Sequence, residues 1–349
     1  MCMLELSDYI IQENTSVIDA AAVIDANRRQ IVFICEGTRL LASFSDGDLR
    51  RYVLRSGDVS LPVRNAANYH PTALTMSESY GAQRIITHNP YIRGIPIINE
   101  NEEIISIIFS ENARVRKQTQ LDIPVVIMAG GKGTRLAPYT NVLPKPLIPV
   151  GDMTITEQIM ERFLQFGCND YTMIVNHKKS LIKAYFSEAP CKGSLRFVDE
   201  DSFQGTGGGL KLLEGLIDST FFMTNCDILI DADYEDILKH HQNSSSQITM
   251  VCALKKVSVP YGTIELDKGG MPVKLVEKPE YPLLTNTGLY VIEPSFLKSI
   301  PVGEYIQITE LIQQLIDDGQ PVGVYPISES GWLDMGQPNE MAKMLEMIG

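Results

Sequence analysis

Hydrophobic positions along the 349-residue chain fall into two textures that change near residue 118. From residue 123 onward, short apolar runs at 125–129, 171–176, 195–198, 221–225 and 248–254 alternate with stretches of helical period. Each run has strand length, and several are apolar at every position, the pattern of a strand buried on both faces. The clearest helix starts after Thr154: Thr154-x-x-Glu157 is a capping box, Ile159, Phe163 and Phe166 form an apolar stripe, and Gly167 supplies a stop. Strands alternating with helices predict an α/β domain built on a mostly parallel sheet, with ligands bound at the carboxyl ends of its strands.

Before residue 118 the pattern repeats itself. A helical stretch at 17–27, a strand at 31–35, a turn, a strand at 40–44 and then Ser45-Asp46-Gly47-Asp48-Leu49-Arg50 form one unit. A helical stretch at 78–88, strands at 95–98 and 104–109, and Ser110-Glu111-Asn112-Ala113 form the second. The strand-end serines are 65 residues apart and the first strands start 64 apart, which indicates duplication of an α+β unit. The polar segment 111–120 reads as a connection. The expected division is therefore a tandem pair at 1–118, a linker at 119–122 and a second domain at 123–349.

Composition narrows the function. Hydrophobic residues make up 44% and charged residues 21%, an ordinary globular balance. No apolar run reaches the ~20 residues of a membrane span, and the N-terminus lacks the pattern of a signal peptide, so a soluble cytoplasmic protein with no membrane partner is expected. The net charge is −13: the first 120 residues hold 12 Lys+Arg against 14 Asp+Glu, and the rest 18 against 29. Without a basic run, nucleic acid is an improbable partner. Six cysteines at 2, 35, 168, 191, 226 and 252 show no metal-site spacing and read as buried reduced thiols.

The densest chemistry follows the run at 125–129. Ala129-Gly130-Gly131-Lys132-Gly133-Thr134-Arg135-Leu136 is followed by Pro144-Lys145-Pro146-Leu147. Glycines let backbone N–H groups close on an anionic ligand, and Lys132, Arg135 and Lys145 add positive charge. The string is neither a Walker A loop, since Gly133 follows Lys132, nor a dinucleotide fingerprint, since Leu136 occupies the third glycine position. At these residues the chain resembles the sugar-1-phosphate nucleotidyltransferases, whose signature is Gly-x-Gly-Thr-Arg-Leu followed by Pro-Lys-Pro-Leu. The resemblance covers residues 123–349 and implies a Rossmann-like, GT-A-like domain and an enzyme that releases pyrophosphate.

Later segments follow the same family in order. The resemblance implies that Ala129, Gly130, Gly131, Gly133 and Thr134 bind the nucleotide, that Arg135 and Lys145 are catalytic, and that Gly205 and Thr206 read the base. It also implies that Asp227, at a strand end, and Asp334, in Trp332-x-Asp-x-Gly336, bind Mg²⁺. Tyr261, Gly262, Glu277, Lys278, Asn286, Thr287 and Tyr290 would bind the sugar phosphate. Read without the family, each isolated Asp or Glu-Lys pair is an ordinary turn or strand end. The Gly-Thr start at Gly205 resembles guanylyltransferases and implies GTP.

The N-terminal strand–Ser-x-x-Asp-Leu-Arg pattern resembles a CBS-domain pair, with Ser45 and Asp48 matching ribose contacts of a regulatory adenine nucleotide. In the second copy Ala113 replaces the Asp. A CBS pair before such a transferase resembles the guanylyltransferases of bacterial nonulosonic-acid synthesis, particularly the legionaminic type, and implies glucosamine-1-phosphate as acceptor. Mannose-1-phosphate and heptose-1-phosphate remain open, as do a catalytically silent sensor and an assembly subunit. A homo-oligomer, most simply a two-fold dimer, is expected from base rates.

Overall fold

The computed structural model describes residues 5–89, 91–110, 120–189 and 193–336. These form two compact units. One comprises residues 5–110 together with Ala253–Thr285 and Pro326–Glu329; the other comprises 120–252, Asn286–Tyr325 and 330–336.

The first unit contains the duplication. Ile10–Ile11, Ile31–Glu36 and Arg39–Ser45 form one three-stranded sheet; Leu74–Thr75, Gly94–Ile98 and Ile104–Phe109 form another. In each, the short first strand runs parallel to the second, and the second and third form a hairpin with an irregularity at Ile34/Cys35 and at Ile97/Ile98. The first helix spans Val17–Asn27, as its periodicity predicts. In the second copy a single helix at 78–88 was expected, but a 3-10 segment, Met76–Gly81, precedes a short α-helix, Ala82–His88. A glycine in the run and Ser-rich start explain the tighter opening turn.

The strand Ile31–Glu36 shows why its sequence is continuously apolar. Val32 and Ile34 pack with Val17, Ala20, Ile24 and Val53 on one face. Ile31, Phe33 and Cys35 pack with Ile104 of the second copy on the other. The same unit extends beyond the N-terminal segment: Leu254 joins the Val17–Ile24 core, and Lys256 Nζ lies 2.7 Å from both Asp19 and Glu280. The division expected at 118–123 is thus not the whole partition, because segments distant in sequence share this apolar core. Residues 111–119 of the polar segment lie outside the described residues, while 120–122 of the expected linker are described.

The second unit is built on a seven-stranded sheet, of which residues 253–258, 280–285 and 326–328 belong to the first unit. Its strands are β1 (Val125–Ala129), β2 (Asp170–Val175), β3 (Ser194–Asp199), β4 (Phe221–Asn225), β5 (Ile248–Ser258), β6 (Glu280–Ile292) and β7 (Val322–Ser328), in the order β3-β2-β1-β4-β6-β5-β7. The first four are mutually parallel and β6 is antiparallel to β4, a Rossmann-like mixed α/β arrangement. All five residues of β1 are buried. Val126 and Met128 pack with Leu210, Leu213, Met223 and Leu311. Elsewhere in the unit, the helix Ile155–Leu164 sets Phe163 against Phe222 and Tyr234, with ring centroids 5.4 and 4.6 Å apart. Its capping box forms as predicted, and Gly167 takes a left-handed φ of 80° beyond its end.

Candidate active site

The carboxyl end of β1 delivers the chain into the glycine loop. A side chain on Gly130 would stand 2.7 Å from Glu200 Oε2, so only glycine lets the loop approach that carboxylate. Gly133 adopts φ 65° at the start of the one-turn helix Thr134–Leu136, where a Cβ would meet Thr140 Cγ2 at 2.9 Å. Thr140 Oγ1 donates to the Gly133 carbonyl at 2.9 Å, tying the two arms of the loop together. Thr134 and Arg135 are exposed beside it.

Lys145 emerges from the second arm and forms an ion pair with Asp227, each side chain little exposed at 13% and 12%. Asp227 follows β4, and Asp334 ends the strand Trp332–Asp334. A two-stranded antiparallel ribbon, Ile228–Ile230 with Trp332–Asp334, brings them together through the register Ile228↔Asp334. The Met335 N–H donates to the Asp227 carbonyl at 2.8 Å. A Cβ on Gly336 would lie 2.7 Å from Asp334 Oδ1 and 3.0 Å from Asp227 Oδ2, so both carboxylates border one point.

Burial pushes the Asp334 carboxyl up, and the Asp227 charge adds to this; the Gly336 N–H and the cations Lys145 and Arg135 oppose it. Two partly desolvated carboxylates at one point form an oxygen donor set that fits Mg²⁺, which takes one or two protein carboxylates and completes its shell with water and substrate phosphate. Among the described residues no cluster of three or more His, Cys, Asp or Glu suits a metal.

The Gly205 segment lies in this unit too, but much of its glycine content serves packing. Gly205 has φ 78°, and a Cβ there would meet the Ile306 carbonyl at 2.5 Å. The N–H groups of Gly207 and Gly208 both donate to Ile306. Thr206 Oγ1 donates to Gln307 Oε1 at 3.0 Å and accepts from the Ile308 N–H, capping the helix Ile308–Asp317. The Thr206 hydroxyl is therefore engaged at a helix start.

The seven expected sugar-phosphate residues divide. Tyr290 was expected to cover a sugar; it lies in the apolar core, 2% exposed, and burial pushes its phenol up to about 12. Its hydroxyl accepts from Asn286 Nδ2 at 2.7 Å, and the buried Thr287 donates to the Val251 carbonyl. Tyr290 and Thr287 are thus inward-facing supports, because residues 287–292 of this strand are buried on both faces of the sheet. Tyr261, Gly262, Glu277 and Lys278 belong to the first unit. There Glu277 Oε2 lies 2.9 Å from the position of a Cβ on Gly262, and Lys278 holds a left-handed φ of 46°.

Ser45 and Asp48, expected to touch a ribose, form the capping box of the helix Asp46–Ser56: the Ser45 hydroxyl donates to Asp48 at 2.6 Å, and Arg51 pairs with Asp48. A cavity of about 410 Å³ lies instead between the two copies, lined by Leu40, Leu41, Tyr69, His70, Ile98 and Glu102.

Two residues escaped the sequence reading. Glu200 is 2% exposed, accepts the Gln204 N–H at 2.7 Å, and has its carboxyl pushed up by burial. Lys178 donates to the carbonyls of Thr140, Asn141 and Val142 at 2.9, 2.8 and 3.1 Å, closing the end of the glycine loop's second arm. A carboxylate after an apolar run before the Gly-Thr segment was the available signal for Glu200. Nothing local distinguishes Lys178 from neighbouring Lys179.

The site thus joins a glycine loop, which follows a strand of a mixed sheet, to a pair of aspartates at strand ends. The chain belongs to the nucleotidyl transferase family, which it matches over residues 124–348. It is 29% identical over 228 residues to the mannose-1-phosphate guanylyltransferase of Mycobacterium tuberculosis, covering 63% of each chain. It is 31% identical over 233 residues to the UTP–glucose-1-phosphate uridylyltransferase of Synechocystis, covering 61% of this chain and 60% of that one. It therefore spans less than two thirds of the length of these relatives. The crystal structure of HddC from Yersinia pseudotuberculosis superposes with a TM-score of 0.52 at 22% identity, over 65% of this chain and 100% of that chain. Another structure of HddC, complexed with GMP-PN, gives a TM-score of 0.51.

Proposed function

We propose that the protein transfers GMP from GTP to a sugar-1-phosphate, with glucosamine-1-phosphate as acceptor, giving a GDP-sugar and pyrophosphate. The observation that carries this reading is the convergence of Asp227, Asp334 and Lys145 beside the glycine loop. Guanylyl transfer is supported by the guanylyltransferase relative and by the GMP-PN complex of HddC. The choice of glucosamine-1-phosphate, and a role in nonulosonic acid synthesis, rest on the duplicated N-terminal unit joined to this transferase sequence.

In the reaction an oxygen of the sugar phosphate attacks the α-phosphorus of GTP. The new P–O bond forms as the bond from the α-phosphorus to the bridging oxygen breaks, and pyrophosphate leaves with that electron pair. The nucleophile is already anionic near neutral pH, so the protein must chiefly hold two polyanions in line and stabilise charge. The glycine loop and Arg135 hold the triphosphate, Lys145 stands at the reacting phosphorus, and Lys278 holds the sugar phosphate. Asp227 and Asp334 would hold Mg²⁺, whose positive charge offsets that of the phosphates. An adenine nucleotide in the cavity between the N-terminal copies is the regulatory ligand this reading assigns.

The test is pyrophosphate release by the purified protein with Mg²⁺, using five nucleoside triphosphates against glucosamine-, N-acetylglucosamine-, mannose-, glucose- and heptose-1-phosphates. Turnover with GTP and glucosamine-1-phosphate is expected. Turnover with mannose- or heptose-1-phosphate instead would overturn the acceptor, and another nucleotide would overturn the base. Silence across the panel would favour a sensor.

A further inference from the structure

Leu254 and Lys256 stand two residues apart on β5, so both project from the same face of the strand. Leu254 belongs to the apolar core of Val17, Ala20 and Ile24, and Lys256 reaches the first turn of the same helix, donating to Asp19 Oδ1 at 2.7 Å. Asp19 is itself fixed by the helix cap: the Ser16 hydroxyl donates to its other oxygen, and its N–H donates to Ser16 Oγ at 3.2 Å. Lys256 and Ser16 together hold the Asp19 carboxyl below the usual carboxylate range. On its other side Lys256 Nζ lies 2.7 Å from Glu280 Oε2.

Glu280 opens β6 and follows Lys278 by two residues, while Tyr261 follows Lys256 by five. The Val259 N–H donates to the Pro279 carbonyl at 2.9 Å, so the two stretches leave the sheet side by side. Further out, a Cβ on Gly262 would lie 2.9 Å from Glu277 Oε2. Tyr261, Gly262, Glu277 and Lys278 therefore share one limb, and Lys256 closes its base. We infer that Lys256 is a positioning residue for the acceptor: by bridging Asp19 and Glu280 it ties the limb carrying Glu277 and Lys278 to the first helix of the N-terminal unit. This rests on the reading in which that limb holds the sugar phosphate. An isolated surface ion pair contributes little, because ordering two long side chains costs entropy and water screens the charges. Here one carboxylate is already fixed by its cap, so the bridge orients the limb more than it stabilises the fold. Lys256 acts on Lys278 through Glu280 and Pro279, so it sets where the acceptor is held. The N-terminal unit is then a structural part of the acceptor site.

The experiment is steady-state pyrophosphate release by the full chain with GTP and, in turn, glucosamine-, mannose- and heptose-1-phosphate. Lys256→Met and Glu280→Gln should each raise the KM for the accepted sugar phosphate about three- to tenfold, the scale of a coupled ion-pair network. The GTP KM and kcat should stay within about twofold, since the lost interaction is one of acceptor binding. The double variant should rise no further than the singles, and Lys256→Arg should restore the unaltered KM. The two substitutions change the charge in opposite directions, so a general attraction for phosphate would move KM oppositely. Lys274→Met removes an exposed cation from the same limb and should leave KM unchanged. Opposite shifts, additive effects, an unchanged KM in Lys256→Met or an equal rise in Lys274→Met would each overturn the inference. Lys278→Met separates the two levels. A raised KM there without one in Lys256→Met removes only the positioning role, whereas no rise in Lys278→Met removes the sugar-phosphate reading and the positioning role with it. Amide hydrogen exchange needs no turnover: exchange across 277–281 should quicken in Lys256→Met, and unchanged exchange would also sink the inference.

Discussion

Lys145 and Asp227 are 82 residues apart in sequence and joined as an ion pair, so the cation is held beside the carboxylate pair without help from substrate. Replacing Lys145 with Gln keeps the stem and removes the charge. Turnover is expected to fall by about 10²–10³, the usual effect of losing one preorganised group at developing charge. Circular dichroism should show the fold retained, and near-normal turnover would remove Lys145 from its role. His241 offers a separate test, away from chemistry. It is 1% exposed and bonded through its two ring nitrogens to Thr249 Oγ1 at 2.7 Å and Glu293 Oε1 at 3.0 Å. Burial holds its pKa below the ordinary 6.5, with the Glu293 contact opposing. The unfolded chain therefore takes up a proton there before the folded one does. The resulting stability is fully present above pH 6.5 and is lost as pH falls toward the depressed folded value. Melting temperature should drop across that window, and His241→Asn should melt lower at neutral pH but with a flatter dependence. An unchanged slope in the variant would contradict this account.

At the scale of elements, the signature loop depends on a residue outside it. Lys178 spends its three donors on the carbonyls of Thr140, Asn141 and Val142. Lys178→Met removes them while preserving the aliphatic stem. The loss should be about 1–3 kcal/mol in stability of that loop. Nucleotide KM is expected to rise more than kcat falls, because the loop binds rather than reacts; an unchanged KM would separate Lys178 from the nucleotide site. The helix Ile155–Leu164 is a simpler case. Its capping box joins Thr154 and Glu157 through two backbone N–H groups, and Thr154→Ala should lower stability by about 1 kcal/mol in denaturant titration.

For the whole molecule, the consequential finding is that residues 253–285 share a unit with the N-terminal duplication. Leu254 is 6% exposed and belongs to the core formed by Val17, Ala20 and Ile24. Leu254→Ala should cost about 2–5 kcal/mol. Hydrogen exchange should then quicken both in the helix Val17–Asn27 and around residue 254. Acceleration confined to one of the two segments would contradict a shared core. Because Tyr261, Gly262, Glu277 and Lys278, which we propose hold the sugar phosphate, lie in this same unit, deleting residues 1–118 should raise the KM for sugar phosphate more than that for nucleotide.

Much was legible in the chain without coordinates. The strands at 125–129 and 221–225, the helix at 17–27, the cap at Thr154 and the duplication follow from local period, capping chemistry and offset, which neighbouring residues encode. The glycine loop was legible from its closely spaced glycines, and packing shows why two are needed: a Cβ on Gly130 would stand 2.7 Å from Glu200 Oε2 and one on Gly133 2.9 Å from Thr140 Cγ2. Tertiary structure decided what pairs over distance. It set Asp334 beside Asp227 through a three-residue ribbon too short to show a pattern, and turned Tyr290 inward. It gave Gly207 and Gly208 to the Ile306 carbonyl, set Lys178 under the loop, and joined residues 253–285 to the N-terminal core. Periodicity states which face of an element is apolar, whereas the surface that covers that face depends on chain closure over a hundred residues or more, and only the packed molecule contains it.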